Sequence, residues 1–517
     1  MEVTGPFRPP RALPPLFLAF ALAAAYSVSL APDLTWANDG ADGGDLIAAA
    51  ATRGVAHPTG YPLYLILARL FLSLPLGPPA WRTNLMSAVF AVGAALLVYW
   101  IVRRETGRWM AALPAGASAG LAPLLWSQAV ITEVYALHAF LVALIILLST
   151  GPRSEHGRRF MDGLRGLVLG LALGNHLTIL LLLPVVLFVN SSRSQETGRR
   201  RRLDWGAFAR QGIFFSFGTL IYLFLPAWAG ARPPVNWGNA VTPGRLWWLL
   251  SAQLYQDQLL SVPLMEAWQR LGAWAALLLR QFGLLGLLLG AASLFFFQPR
   301  SRLFQVTLWT FVVYSLFAVG FGTFDSYVYL IPALLAFSVW IGMGAAGLLD
   351  AITPDSPGLA FLAGIGMVVF FGWLGMVHLP QVDAARDARA VQFGREVLAA
   401  APPQAIVFAE GDRAVFSLWY FHYALRERPD ISVIAVDLLL FDWYQETLQT
   451  VYPALHLPDL RTPAALSAAN PGLPVCLVSY LDGASIECHA YARSGRDRPG
   501  LDVPAFRTTF FETGVTP

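Results

Sequence analysis

Lysine is absent from this 517-residue sequence, so all 35 basic residues are arginines. Without lysine the chain cannot contain a phosphate-binding loop of the Walker type. Charged residues make up only 13% of the chain, against about 25% in an ordinary soluble domain. The net charge of +3 is small, and we expect no nucleic-acid partner.

Cysteine is nearly absent as well. Two cysteines, Cys476 and Cys488, exclude a disulfide-rich scaffold and a cysteine-based zinc cluster. They flank residues 481–483, where a short hairpin would place them opposite each other. An oxidising compartment would allow a disulfide between them, and the sequence leaves that question open.

Apolar residues, in contrast, make up 56% of the chain, and its mean hydropathy is +0.55. So much apolar surface requires an apolar solvent, and we predict a polytopic α-helical membrane protein. Eleven apolar segments are candidate spans: 13–31, 83–102, 109–126, 134–150, 163–174, 176–190, 212–229, 271–297, 303–321, 327–349 and 358–378.

The arginines of the short loops predict the orientation of the chain, because cytoplasmic loops are enriched in positive charge. They lie within residues 8–11, 103–108, 153–165, 193–210 and 300–302, on alternate loops, whereas the opposite short loops near 127–133, 174–178 and 320–326 have none. We therefore place the N-terminus in the cytoplasm and the C-terminus outside. Merging the segments on either side of residues 174–176 would put the arginine-rich loop on the wrong side, so we keep them separate.

Three long polar segments then lie outside, at 32–81, 230–270 and 379–517. The first two are outer loops of a membrane domain that covers residues 1–378. They contain helix-like runs at 44–52 and 64–74, and an interfacial run with two tryptophans at 245–250. Residues 379–517 predict a soluble α/β domain with strands at 405–409, 431–436 and 474–480 and helices at 416–428 and 443–451.

The densest group of acids is in the first outer loop, where Asp39, Asp42 and Asp45 follow the first span. Asp42 and Asp45 are three residues apart at the start of a helical run, so they could share one face. A carboxylate with a pKa near neutrality can act as a general base on a hydroxyl group. The competing interpretation is that Asp45 caps the helix that follows.

A turn fixed by two prolines and a glycine follows, and it holds His57 and Tyr61 near the acids. This histidine could bind a phosphate or carry a proton, or it could simply be solvated. Glu133, Asn175 and His176 are predicted at the same membrane face, as ligands of a substrate or as helix caps and interhelical hydrogen bonds.

The second outer loop adds Arg232, Asn236 and Trp237. Arg232 suits a phosphate or pyrophosphate headgroup, although it could instead extend toward lipid phosphates. Asp412 follows a predicted strand and is either a site residue or part of a turn.

These motifs resemble those of a known membrane family, the transmembrane protein O-mannosyltransferases. The resemblance rests first on DGGDLIAAA at 42–50 and GVAHPTGYPLY at 54–64. Further matches are RTNLMS at 82–87, TEVYAL at 132–137, GNHLT at 174–178, PPVNWGN at 233–239, and residues 411–420 and 428–430. Two positions depart from the family pattern, since Asp45 stands where glutamate is commoner and Thr59 where a second proline is usual.

The resemblance implies a fold similar to the GT-C glycosyltransferases, with a catalytic acid in the first outer loop and a polyprenyl-phosphate sugar as donor. It implies inverting transfer of a hexose, such as mannose, to a hydroxyl of a protein or glycan. Asp42 would be the base, with Asp45 supporting it or exchanging roles. His57 and Arg232 would hold the departing phosphate. The remaining candidate substrate contacts are Asp39, Tyr61, Glu133, Asn175, His176, Asn236 and Trp237.

No cofactor is firmly implied, although the acids could bind a divalent metal. The missing lysine and the match in the soluble domain favour a bacterial inner membrane, with the C-terminal domain outside. Two other functions stay open, namely a transporter or flippase of lipid-linked sugars and a scaffold for envelope assembly. Polar groups gather at one face and not along a path through the membrane, and this favours the enzyme.

Overall fold

The computed structural model describes residues 10–150, 155–193, 202–296, 301–481 and 483–489. Parts of the predicted arginine bias, including Arg8, Arg153, Arg199 and Arg300, and residues 490–517 of the predicted soluble domain lie outside these ranges. Up to residue 382 the described chain is almost entirely helical. Its helices are α1 (Leu13–Ser29), α2 (Gly43–Thr52), α3 (Pro62–Leu72), α4 (Pro79–Thr106), α5 (Trp109–Gly120), α6 (Pro123–Ala129), α7 (Tyr135–Ser149), α8 (Glu155–Leu173), α9 (Leu183–Ser191), α10 (Trp205–Thr219), α11 (Phe224–Gly230), α12 (Pro243–Leu250), α13 (Leu264–Phe296), α14 (Arg302–Gly320), α15 (Ile331–Ile352) and α16 (Pro357–Val382).

Short 3₁₀ helices connect or extend these elements at Ala37–Asp39, Leu177–Leu182, Leu220–Leu223, Trp237–Asn239, Gln253–Gln258 and Ser326–Leu330. A small antiparallel pair, β1 (Ser192–Arg193) and β2 (Arg202–Leu203), lies between α9 and α10.

Helical structure occurs in every one of the eleven predicted segments. Within the described residues, six helices are long and apolar enough to cross a membrane: Pro79–Thr106, Trp205–Gly230, Leu264–Phe296, Arg302–Gly320, Ser326–Ile352 and Pro357–Val382. Others are shorter or interrupted, such as the segment 109–126, which breaks before Pro123 because proline readily begins a helix but interrupts one. The count of eleven crossings stays a prediction.

The bundle is centred on α15, which is buried along most of its length. It approaches α13 closely at Gly344, where a Cβ atom would lie 1.9 Å from the carbonyl oxygen of Leu289. Small residues allow such close backbone contact, which is a common way of packing membrane helices.

The outer segments contain the predicted helices α2, α3 and α12, and Trp247 of α12 is 70% exposed, as expected of an interfacial tryptophan. Beyond residue 382 follow α17 (Arg389–Ala400), β3 (Ile406–Glu410), α18 (Asp412–Trp419), β4 (Ser432–Ala435), α19 (Asp442–Val451), α20 (Pro463–Ala469), β5 (Val475–Tyr480) and β6 (Ala484–His489). A π-helical turn, Tyr420–Ala424, continues α18, and a 3₁₀ turn, Val436–Leu438, follows β4.

The four strands form one sheet in the order β4-β3-β5-β6, with β3 parallel to both of its neighbours. The three strands predicted from the sequence are confirmed, whereas β6, α17 and α20 were missed. β6 is antiparallel to β5 and places Cys488 opposite Cys476, and the two form a disulfide. The hairpin interpretation of these cysteines is therefore confirmed.

Asp387 attaches the start of this domain to the first outer loop. Its carboxylate accepts hydrogen bonds from Thr35 Oγ1 at 2.6 Å, from the backbone N–H of Trp36 at 2.9 Å and from that of Ala37 at 2.8 Å. Burial opposes its charge, but hydrogen bonds from Arg389, Thr35 and Trp36 lower the pKa of Asp387 to about 2. The acidic loop is therefore held from the C-terminal side.

Candidate active site

The two outer loops meet through their backbones. The N–H of Val55 donates to Val235 O at 3.0 Å, and the N–H of Trp237 donates to Val55 O at 3.2 Å, as in a parallel sheet. Residues more than 170 positions apart in the chain are thus held in register beside α2. This pairing brings Trp237 to the acids of the first loop.

Asp45 is completely buried and accepts three hydrogen bonds. They come from the backbone N–H of His57 at 3.0 Å, from His57 Nδ1 at 2.7 Å and from Trp237 Nε1 at 3.0 Å. The capping interpretation of Asp45 is therefore wrong, because its carboxylate does not bind the amides of its own helix. It is instead the fixed partner of a histidine and an indole.

Asp42 occupies the N-cap position of α2, yet its side chain makes no capping bond. Its Oδ2 lies 3.5 Å from His57 Nε2, and its side chain is 38% exposed. The carboxylate keeps this access although protein surrounds it, as expected in the wall of a cleft. Burial, with smaller effects from Asp45 and Asp325, raises the pKa of Asp42 despite the opposing charge of His57. A carboxylate of this kind is a stronger base than one in bulk water.

His57 lies between the two carboxylates. Burial alone would lower its pKa, but Asp42 and Asp45 outweigh burial and raise it to about 9. With its pKa raised in this way the ring is protonated at neutral pH. Its Nδ1 donates to Asp45, and its Nε2 lies 3.5 Å from Asp42 Oδ2 as an ion pair. The phosphate contact of His57 stays a prediction, and the position of the ring between two carboxylates favours a role in orienting Asp42.

Glu133 follows α6 and is 5% exposed. Its Oε2 accepts from the N–H of Val134 at 3.3 Å, and burial followed by the charge of Asp42 raises its pKa well above the usual range. The preceding Thr132 donates to Asn84 Oδ1 at 2.7 Å, and Asn84 Nδ2 donates to Ala31 O at 2.9 Å. The motif at 82–87 thus holds the segment that carries Glu133.

Asn175 and His176 make the structural contacts that were the competing interpretation. Asn175 Nδ2 donates to Val134 O at 3.2 Å, which joins two helical segments. His176 Nδ1 accepts from the N–H of Thr178 at 3.3 Å and caps the 3₁₀ helix. The ring of His176 lies 5.8 Å from that of Tyr135.

Tyr61 also lies at the cleft, with its ring 4.9 Å from that of His57 and its hydroxyl donating to Pro58 O at 3.1 Å. Asp39 lies at the rim and accepts a 2.5 Å hydrogen bond from Tyr327. Asn236 Nδ2 donates to Ala229 O at 3.3 Å, so it supports the second loop.

Arg232 is exposed, and within the described residues its guanidinium forms no ion pair with the acids. The structure therefore does not bring Arg232 into direct contact with the acid cluster.

Two further acids act on this cluster: Asp412, which the sequence left open as a site residue or part of a turn, and Asp325, which was not predicted. Burial and then the charge of Asp42 raise the pKa of Asp412 to about 7, and Asp325 contributes to raising the pKa values of Asp42 and Glu133. Asp325 could have been noticed as the lone acid in a short outer loop otherwise free of charge.

Aromatic side chains complete the wall. Tyr329 lies 5.6 Å from the ring of His176 and 6.0 Å from that of Tyr135, and the pKa of Tyr255 is raised by burial and by Asp412 and Asp42. Several acids and tyrosines that converge on one cleft fit a small polyhydroxylated ligand better than an apolar one.

The described residues support neither a serine hydrolase site nor a metal site. Residues 116–120 match the Gly-x-Ser-x-Gly pattern of hydrolases, but Ser118 lies inside α5, is 1% exposed and donates to Ala115 O at 2.9 Å. In the described part of the chain, no three His, Cys, Asp or Glu side chains are grouped to hold a metal ion. Those residues therefore provide no ligand set for the divalent metal that the acids suggested.

Solved structures with the same arrangement of helices define the class of fold. ArnT from Cupriavidus metallidurans bound to undecaprenyl phosphate superimposes with a TM-score of 0.58 at 14% identity, covering 90% of this chain and 93% of that one. The Archaeoglobus fulgidus oligosaccharyltransferase gives a TM-score of 0.54 at 14% identity, covering 90% and 68%. The fold is GT-C-like, as predicted, and the protein is an integral membrane protein.

Sequence relatives make the assignment narrower. Residues 42–199 match the model of the protein O-mannosyl-transferase TMEM260 N-terminal domain, and residues 390–460 match TMEM260-associated domain 2. Protein O-mannosyl-transferase TMEM260 of Mus musculus is 26% identical over 472 residues, which are 85% of this chain and 65% of that protein. The Dictyostelium discoideum protein of that name is 21% identical, covering 84% and 58%. The chain thus spans less than two thirds of these relatives, and its similarity to the GT-C-type O-mannosyltransferase family covers most of its length at low identity.

Proposed function

We propose that the protein is an inverting glycosyltransferase that moves a hexose, such as mannose, from a polyprenyl-phosphate sugar to a hydroxyl group of a protein or glycan. The observation that carries this proposal is the Asp42 carboxylate, which is open to the cleft and has His57 as its one close charged partner among the described residues. Asp45 and Trp237 fix His57 from behind. The names and the fold of the relatives support the same chemistry.

In the proposed reaction the acceptor O–H bond breaks and its proton passes to Asp42. The acceptor oxygen forms a bond to the anomeric carbon of the hexose, opposite the phosphate. The bond between that carbon and the phosphate oxygen breaks, and its electrons leave with the lipid monophosphate. The raised pKa of Asp42 favours proton uptake, and the protonated ring of His57 holds the carboxylate in position. Arg232, which has no ion pair among the described residues, is the proposed contact of the leaving phosphate.

A mostly apolar cavity of about 240 Å³ beside the rim would receive the start of the lipid chain. Its walls include Trp274, Leu277 and Leu330, and Tyr327 joins it to Asp39. Arg270 also lines it, with Nη1 donating to Phe321 O at 2.7 Å. An apolar chain beside a polar cleft matches the two halves of a polyprenyl-phosphate sugar, and a protein or glycan acceptor would enter from the outer side.

The decisive experiment uses the purified full chain in proteoliposomes with a panel of labelled polyprenyl-phosphate hexoses and Ser/Thr peptides or oligosaccharides. We expect a covalent product with inverted anomeric configuration. Asp42→Asn should lower the rate by about 10²- to 10⁴-fold, the usual contribution of a general base. Asp355→Asn removes an exposed acid between α15 and α16 and is the matched control.

Wild-type rates in the Asp42→Asn variant would remove Asp42 as the base. Movement of the lipid-linked sugar across the bilayer without a covalent product would replace the enzyme by the flippase alternative. A scaffold would show neither transfer nor transport.

A further inference from the structure

The C-terminal domain touches the catalytic loop directly. Its helix α18 packs on α2 so closely that a Cβ atom on Gly44 would lie 2.1 Å from the carbonyl oxygen of Phe416. The ring of Phe416 is nearly parallel to that of His57 at 6.3 Å and also lies 6.3 Å from Trp237. The soluble domain therefore forms one wall of the cleft.

Asp412 is the first residue of α18 and follows Gly411, whose φ of +79° turns the chain from β3 into the helix. Asp437 holds this turn by accepting from the N–H of Gly411 at 2.9 Å. Gly411, and not Asp412, is the N-cap residue. Among the described residues the carboxylate of Asp412, which reaches solvent although protein surrounds it, has no hydrogen-bond or ion-pair partner, so the turn does not account for it.

Asp412 precedes Phe416 by four residues, so the two side chains lie on one face of α18. That face contacts His57, as the Phe416 ring shows. The charge of Asp412 also affects Tyr255, and the charges of Asp42 and His57 act on Asp412 itself. Asp42 and Asp412 thus face one cleft from two different domains.

We propose that Asp412 is a substrate-contacting residue that binds hydroxyl groups of the transferred hexose, so that the C-terminal domain completes the active site. This inference rests on the proposed function. A carboxyl group can accept hydrogen bonds from sugar hydroxyls or donate to them, and no partner within the described part of the chain competes for Asp412. Asp42 then remains available to take the proton from the acceptor hydroxyl.

The test measures transfer and donor binding in the full chain. Asp412→Asn and Asp412→Ala should lower kcat/KM for the lipid-phosphate hexose by about 10- to 100-fold, the loss expected for hydrogen bonds to a charged group. Glu410→Gln is the matched control, because this neighbouring acid is influenced by burial and Asp437 and not by Asp42. Thermal unfolding in detergent checks that each variant is folded.

Monodeoxy hexose donors give a readout that a structural role would not change. The wild type should transfer the hexose more slowly from the donor that lacks the contacted hydroxyl. The Asp412→Ala variant should transfer from that donor and from the parent donor at the same rate. Equal discrimination by the wild type and Asp412→Ala would overturn the proposal.

Donor binding separates this inference from the proposed function. In an Asp42→Asn background, adding Asp412→Ala should weaken binding of a fluorescent polyprenyl-phosphate hexose. Unchanged binding overturns the Asp412 contact even if transfer is real. If the wild type binds the donor but never transfers the hexose, the proposed function is refuted, and the effect of Asp412→Ala on donor binding still decides the Asp412 contact. No binding at all refutes both.

Discussion

Two groups of acids near opposite ends of α8 differ in whether arginines pair with them. We call the paired acids compensated and the others uncompensated. Toward the start of the helix, the buried Asp162 pairs with Arg165 and with Arg210, the latter at 2.7 Å. Beyond its end lies the cleft, where Asp42 and Glu133 have no arginine partner among the described residues and share a single imidazolium. Compensated acids hold helices together, whereas uncompensated acids that remain accessible are characteristic of functional sites.

The largest expected effect on stability lies at the compensated end. Asp162→Ala should destabilise the protein by about 3–5 kcal/mol, because it leaves Arg165 buried without its partner. Asp42→Asn should cost much less, because it removes a charge that burial disfavours and leaves His57 paired with Asp45. Thermal unfolding in detergent measures both.

Replacing the pair together, as Asp162→Leu with Arg165→Met, should be less harmful than Asp162→Ala alone. Similar losses for Asp162→Ala and Asp42→Asn would end the distinction between the two clusters.

Asp45→Asn should change how the stability of the folded protein depends on pH, because Asp45 contacts His57 among the uncompensated acids. A histidine pKa raised to about 9 stabilises the folded state fully below its ordinary value of about 6.5, and this contribution is lost as pH rises through 9. Without the charge of Asp45 the pKa of His57 should fall, so unfolding temperatures should depend less on pH between about 6.5 and 9.

His57→Gln should flatten the same pH dependence, and this serves as the control. If the curve for Asp45→Asn matches that of the wild type across this range, Asp45 does not set the charge of His57.

The smallest effect concerns a compensated pair at the surface between the second loop and α19. Arg245 contacts both oxygens of Glu446 at 2.7 and 2.6 Å, but the two side chains are 31% and 47% exposed. A double-mutant cycle with Arg245→Leu and Glu446→Gln should give a coupling of about 0.2–1 kcal/mol that shrinks in high salt. A coupling well above 1 kcal/mol that does not change with salt would contradict the view that this exposed pair contributes little.

Local sequence patterns were sufficient for much of this protein. Apolar runs predicted helical segments throughout the membrane domain, and alternating runs predicted three of the four sheet strands after residue 382. A hairpin that places Cys476 opposite Cys488 was correctly considered, and the disulfide that the sequence left open is present. Two motifs far apart in the chain, around Asp42 and around Trp237, were correctly expected at one face.

The roles of neighbouring acids could not be predicted in the same way. Asp42 and Asp45 are separated by less than one helical turn, and spacing allowed either to cap, to support or to react. Only the position of His57 and of the Trp237 indole shows that Asp45 is the buried partner and Asp42 the accessible one. Asp412 looked like part of a turn because nothing local relates it to the first outer loop.

The sequence by itself determined that this chain enters a membrane, where its helices run and which loop is acidic, because those properties follow from hydropathy and composition over short windows. Only the tertiary structure decided which acid is buried and which is accessible, and that α18 of the C-terminal region packs on α2. Those outcomes depend on charges and hydrogen bonds between residues hundreds of positions apart, and their energies are set by distance and burial in the folded protein.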